Sequence, residues 1–172
     1  VIHKNFKIIK GFMTTIHSYT TDQRLLDNSH KDLRRARSAP NAIVPTSTGA
    51  AKSLKMIIPD LVNKIDGISI RVPNPNVSLV QLSFNSQTKV TKNTINNSLS
   101  KASKTYLKKI LGVEEKPLVS SDFNHDPRSS IIDLGLTKVI GDNFGTVFAW
   151  YDNEWGFSNR MIDVTLAIKN KI

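Results

Sequence analysis

A chain of 172 residues, 39% hydrophobic and 22% charged, holds enough apolar material for one packed core, with two small domains as the outer bound. No apolar run reaches the length of a bilayer span, and no secretory signal pattern is legible. The absence of cysteine excludes disulfides, thiolate catalysis and cysteine-based metal sites within these residues, and fits a cytosolic chain. The formal net charge of +10 admits nucleic acid as a partner, yet the lysines are spread along the chain. The one dense cluster is Lys31, Arg34, Arg35 and Arg37, with neither zinc-ligand spacing nor a basic region followed by heptads. Arginines with few aromatics among them suit the phosphate groups of small molecules at least as well.

Taken in chain order, residues 1–5 read as the frayed end of a helix, and 7–18 as a strand with Ile8, Ile9, Phe12, Met13 and Ile16 as its apolar members. Residues 19–44 are polar and irregular, too long for a plain connector, and so a functional or a disordered loop. Ser47-Thr48-Gly49 opens a helix over about 49–58 with hydroxyls at its N-terminal end, and Pro59 stands at its far end. Strands follow at 66–73 and 77–86, joined by the Pro73–Asn76 turn. Ile95, Leu99, Ala102 and Tyr106 predict a helix over 91–110 that packs one face on a sheet. Short β-type runs occupy 118–121, 130–134, 137–141 and 144–151, and 156–171 reads as a closing helix with Met161, Val164 and Ile168 inward. The order implies a single α+β domain over 1–172, with a mixed, largely antiparallel sheet and helices packed on one face.

Several polar groups in this frame can carry chemistry. His17 ends the first strand and begins the long loop, amid the hydroxyls of Thr14, Thr15, Thr20 and Thr21, with Asp22 placed to orient them. An imidazole there can be a structural group, a general base, or a partner to a thiolate supplied from elsewhere. Ser47-Thr48-Gly49-Ala50-Ala51-Lys52 is either a simple helix cap or an anion site built from free N–H groups, hydroxyls and an approachable glycine. Arg35 and Arg71 offer charge to the same or a second anion. Arg71 interrupts the apolar run Ile68-Ser69-Ile70-Arg71-Val72, so it needs a carboxylate or an anion. Asn153, in Trp150-Tyr151-Asp152-Asn153-Glu154-Trp155-Gly156, has an amide able to pair with another amide. His3, His30 and His125 form no metal spacing, and the first two read as surface residues.

The segments MTTIHSYTTDQ, HKDLRRAR, IVPTSTGAAK, RVPNPNVSLV, VSSDFN and WYDNEWGFSNR, in this order and spacing, resemble the catalytic, C-terminal domain of the phosphorylating glyceraldehyde-3-phosphate dehydrogenases. The resemblance covers essentially the whole chain. It implies oxidation of glyceraldehyde 3-phosphate to an acyl phosphate, with inorganic phosphate as second substrate and NAD or NADP as hydride acceptor. The route runs through a thiohemiacetal, hydride transfer and phosphorolysis of a thioester. By resemblance, His17 activates the catalytic thiol and assists hydride transfer. Thr20 and Arg71 hold the substrate's own phosphate, and Arg35, Thr48 and Gly49 bind the attacking phosphate. Asn153 holds the nicotinamide carboxamide, and 19–44 is the family's S-shaped loop, lining the cofactor site of a neighbour in a homotetramer. No metal is implied. The expected compartment is the cytoplasm, with the plastid as the alternative.

Three departures from the family pattern bear on function. The family's nucleophilic cysteine and its nucleotide-binding domain would align before Val1, so the chain reads as the second half of something and is expected to be inactive alone. Asn28-Ser29 stands where NAD-preferring members carry a residue followed by proline, and Ser29 resembles the NADP-using photosynthetic type. Phe157 replaces a tyrosine common in the family. Two alternatives stay open: the sister enzyme erythrose-4-phosphate dehydrogenase, to which DFNHDP and WGFSNRM are similar, and a non-catalytic basic nucleic-acid-binding module.

Overall fold

The computed structural model describes residues 1–169, apart from the side chains of Ala51, Lys52 and Lys55. Helix α1 (Ile2–Phe6) buries Ile2 and Phe6 and ends at Lys7, whose left-handed backbone (φ 56°) turns the chain into strand β1 (Ile8–Ser18). The expected first strand is therefore present at its expected place. The long segment 19–44 contains only a short 3-10 turn, Ala39–Asn41, as its polarity implied.

Strand β2 (Val44–Ser47) precedes α2 (Ala50–Ile57), and β3 (Ile65–Val72) and β4 (Ser78–Ser86) follow. No strand is expected between the loop 19–44 and the helix opened by Ser47-Thr48-Gly49, so β2 is missed: Pro45, Thr46 and Ser47 hide a four-residue edge strand. Strands β3 and β4 are joined by the expected turn but do not pair. Strand β1 lies between them, parallel to β3 and antiparallel to β4. This crossing sets His17 of β1 directly opposite Arg71 of β3.

Helix α3 (Lys92–Lys104) starts at a reciprocal cap in which Thr91 and Thr94 satisfy each other's backbone N–H groups. It buries Ile95, Leu99 and Ala102 as expected, but it stops at Lys104. Tyr106 consequently lies outside the helix and is exposed, with the Lys4 ammonium 4.9 Å from its ring centre. The remaining strands are β5 (Leu111–Glu114), β6 (Ser130–Asp133), β7 (Lys138–Ile140) and β8 (Phe144–Tyr151). Residues 118–121 are not a strand. Ser120–Phe123 form a 3-10 turn in which the Asp122 carboxylate accepts the Val119 N–H. Strand β5 replaces them in the sheet, paired in parallel with β6.

The sheet order is β2-β3-β1-β4-β8-β6-β5, with β7 attached to β8. All pairings are antiparallel except β1–β3 and β5–β6, so the sheet is mixed and largely antiparallel. One face meets the helices: Phe84, Val147 and Ala149 pack with Ile95, Leu99, Ile2 and Phe6 in a single cluster that Leu54 of α2 joins from the rim. Period-two alternation along β1 turns Phe12 and Ile16 to the other face, where they are exposed.

Helix α4 (Trp155–Lys169) corrects the expectation for the C-terminal segment. Met161, Val164 and Ile168 are exposed rather than inward, and Gly156 is the only buried residue of the helix. The apolar spacing was real, but nothing in these residues covers it. Residues 170–171 of the expected helix lie outside the described residues. No described helix is long and apolar enough to cross a membrane.

Candidate functional site

His17 and Arg71 meet at the ends of their paired strands. Arg71 Nη1 lies 2.8 Å from His17 Nδ1 and donates to the Ser18 carbonyl at 2.9 Å. His17 Nδ1 is also 2.6 Å from that carbonyl. An arginine is always a donor, so a neutral His17 accepts at Nδ1 and carries its proton on Nε2 while Arg71 stays in place. With Arg71 moved away, Nδ1–H can donate to Ser18 and leave Nε2 free as a base. Burial lowers the His17 pKa and the Arg71 charge lowers it further, against the opposing pull of the Ser18 carbonyl. Neutral imidazole is thus the favoured form near neutrality, as a general base requires.

Arg71 makes no ion pair among the described residues, and its Nε is buried without a hydrogen-bond partner there. Burial lowers its pKa, the nearby Tyr151 raises it and the Arg35 charge lowers it again. The carboxylate that the sequence alternative required is therefore missing. A half-buried guanidinium near a second cation, with one donor unspent, is an arrangement that an anion would complete.

Arg35 reaches the same region from the long loop. It is held by Asp22 and Asp32 and donates to the Ser47 carbonyl and hydroxyl, each at 3.3 Å. Asp22 therefore serves Arg35 and His30 rather than the threonine hydroxyls assigned to it from sequence. The start of α2 also differs from expectation. Gly49 is the residue preceding the helix and no side chain caps it. Ser47 is engaged by Arg35, and the Thr48 hydroxyl accepts the Ala50 N–H at 3.2 Å. A Cβ on Gly49 would meet nothing within 4 Å, so this backbone is open to a ligand.

Thr20 is not brought against Arg71 or His17 by any hydrogen bond among the described residues. Its N–H and hydroxyl both donate to Gln23 Oε1, at 2.9 and 3.2 Å. Asn153 lies beyond β8, where its Oδ1 accepts the Ser78 hydroxyl at 3.1 Å. Its Nδ2 makes no hydrogen bond among the described residues, which suits it to donate to a carboxamide oxygen.

Sequence reasoning missed Tyr151, Ser78 and Gln23. Tyr151 stands edge-on to His17, with ring centres 6.2 Å apart. Burial raises its pKa, while the Ser78 hydroxyl and the Arg71 charge pull it back. A tyrosine ending an apolar strand carries no signal of this in sequence; only the β4–β8 register, which pairs Ser78 with Tyr151, reveals it. His3 and His30 were read as surface residues, yet their side chains are only 13% and 9% exposed. Each is drawn in because its Nδ1 accepts a backbone N–H, from Ile8 and Asp32 respectively. No cluster of described residues could hold a metal ion.

Comparison with known proteins bears on this geometry. Residues 1–153 match the family described as glyceraldehyde 3-phosphate dehydrogenase, C-terminal domain. The chain is 51% identical over 168 residues to glyceraldehyde-3-phosphate dehydrogenase from Cereibacter sphaeroides, covering 98% of this chain and 50% of that protein. It is likewise 51% identical over 168 residues to glyceraldehyde-3-phosphate dehydrogenase 2 of Staphylococcus epidermidis, covering 98% of this chain and 48% of that protein. Identity to the chloroplastic glyceraldehyde-3-phosphate dehydrogenase B of Pisum sativum is 52% over 172 residues, 99% of this chain and 38% of that protein. The chain thus spans about half the length of the bacterial relatives that it matches. On this match the chain belongs to the glyceraldehyde 3-phosphate dehydrogenase C-terminal domain family.

Proposed function

We propose that residues 1–172 supply the phosphate-binding and base-bearing half of an NAD(P)-dependent phosphorylating glyceraldehyde-3-phosphate dehydrogenase. The observation that carries this reading is Arg71: half-buried, without a carboxylate partner among the described residues, and in contact with His17, whose pKa burial and the Arg71 charge lower.

In this reading Arg71 and Thr20 hold the phosphate of glyceraldehyde 3-phosphate, and Arg35, Thr48 and Gly49 hold inorganic phosphate. The nucleophile is a thiol from outside the 172 residues. His17 takes the thiol proton, returns it to the oxyanion formed when the thiolate adds to the aldehyde, and takes it back from that hydroxyl as hydride departs. Inorganic phosphate then displaces the thiolate and leaves as the acyl phosphate. The nicotinamide, when bound, accepts the hydride, and Asn153 Nδ2 orients its carboxamide. A phosphate that draws Arg71 away from His17 also frees Nδ1 to donate to Ser18, which turns Nε2 into the base.

Ser29 favours room for NADP as well as NAD. It is exposed, its hydroxyl makes no hydrogen bond among the described residues, and Arg24 Nε donates to its carbonyl at 3.2 Å. A homotetramer is supported by the loop 19–44, which exposes Leu25, Leu26 and Leu33 by 71, 79 and 81%. The cytoplasm is the proposed compartment, with the plastid as alternative.

The test is a chimera in which the first half of a relative, carrying the thiol, precedes Val1. Aldehyde-dependent reduction of NAD and NADP is expected, dependent on phosphate and reduced about 10²–10⁴-fold by His17→Asn. Turnover indifferent to phosphate would overturn the reading, and faster turnover on erythrose 4-phosphate would assign the sister activity.

A further inference from the structure

Asp152 is a carboxylate only 2% exposed, with no cation paired to it among the described residues, and the chemistry above does not use it. Four donors from three separate segments converge on its two oxygens. Oδ1 accepts the N–H groups of Glu154 and Trp155 at 3.1 and 2.8 Å, which opens α4. Oδ2 accepts Asn76 Nδ2 at 2.8 Å and the His125 N–H at 2.9 Å. Burial works to raise its pKa, but the hydrogen bonds outweigh burial and hold it below the usual carboxylate value.

A helix cap accounts for the Oδ1 side alone. The Oδ2 side grips the turn that leaves β3, five residues after Arg71. Within that turn Asn74 Nδ2 donates to the carbonyls of Asn76 and Val77, at 2.6 and 3.0 Å. Val77 is a β-branched residue with φ 67°, a backbone that needs outside support. Its carbonyl also accepts the Ser18 hydroxyl at 3.2 Å, and the Ser18 carbonyl is the acceptor shared by Arg71 and His17. On its two chain neighbours Asp152 also borders the site, since Tyr151 faces the His17 ring and Asn153 meets Ser78.

We propose that Asp152 is a positioning residue: through Asn76 and the 73–77 turn it fixes Ser18, and through Ser18 the mutual placement of His17 and Arg71. The functional meaning rests on the reading above, but the geometry does not, so the two are tested separately.

The substitution Asp152→Asn discriminates the roles. The amide keeps an oxygen for the two α4 N–H groups, and asparagine is a good cap. Its nitrogen, however, then faces the Asn76 and His125 donors, so the grip on the turn is lost together with the His125 N–H bond, while the cap is kept. Asn76→Ala removes that grip from the other side and leaves the carboxylate untouched. Combining Asp152→Asn with Asn76→Asp restores a donor–acceptor pair in reverse.

The readout is the titration of the His17 ring by NMR in the 172-residue chain, assigned with His17→Gln. The groups facing His17 are Arg71, a guanidinium that stays charged, and Tyr151, whose phenol pKa burial raises. The expected result is a rise of the His17 midpoint by about half a pH unit in both single variants, with recovery in the swapped pair. An unchanged His17 midpoint in folded Asn76→Ala would overturn the proposal, and that variant decides the matter even if Asp152→Asn does not fold. Phosphate binding and dehydrogenase turnover are not read here, so failure of this proposal leaves the functional reading standing, and the converse holds.

Discussion

His17 and Arg71 face each other across the parallel pair β1–β3, with Arg71 Nη1 2.8 Å from His17 Nδ1. A titratable imidazole and a permanent cation are thus held in contact, with no carboxylate between them among the described residues. The pair sets an imidazole of lowered pKa beside a guanidinium with one donor unspent among the described residues.

The first consequence concerns charge. Burial and the Arg71 cation hold the His17 pKa below its ordinary 6.5. Arg71→Met removes the cation and is expected to raise the His17 midpoint, read by ring NMR. A midpoint unchanged or lowered would show that burial alone sets it.

The same shift makes stability depend on pH. The folded chain resists a proton that the unfolded chain accepts below 6.5. Stability from this group is therefore complete above that value and falls as pH drops from it toward the folded-state pKa. Chemical denaturation at about pH 8 and about pH 5.5 should show a smaller loss for His17→Gln than for the parent. Equal losses would assign the acid sensitivity to other groups.

The strand that carries His17, the helix α3 and the β3–β4 turn were legible in sequence because apolar spacing and turn chemistry declare them. Tyr106 and the inward face expected of α4 were not. Periodicity marks an apolar stripe but does not say what covers it, and in α4 nothing among the described residues does. Of the site, His17 and Arg71 were legible as an unexplained histidine and an arginine in an apolar strand. Tyr151, Ser78 and Asp152 were not, because their importance comes from cross-strand register and from convergence of segments distant in sequence. The Ser47 cap failed for a related reason: Arg35 takes its hydroxyl from the loop.

The contrast between covered and uncovered apolar residues is measurable. Phe84 is fully buried among α3 and β8, so Phe84→Ala should cost about 3–5 kcal/mol. Ile162, 60% exposed on α4, should cost no more than about 0.5 kcal/mol in Ile162→Ala. Urea denaturation of both variants checks this. A large cost at Ile162 would mean that α4 is packed in solution.

The Thr91–Thr94 cap makes a smaller, local prediction. Thr91→Ala should destabilise the chain by about 1 kcal/mol, and Thr91→Asp should recover most of it, since either side chain accepts the Thr94 N–H. Failure of aspartate to recover would locate the effect elsewhere than at the helix start.

The most direct test of the central claim is calorimetric titration of the 172-residue chain with inorganic phosphate, for the parent and for Arg71→Ala. The account predicts saturable binding in the parent that weakens about tenfold or more in Arg71→Ala, consistent with losing a charge-assisted pair. Binding of equal strength in both proteins would contradict it.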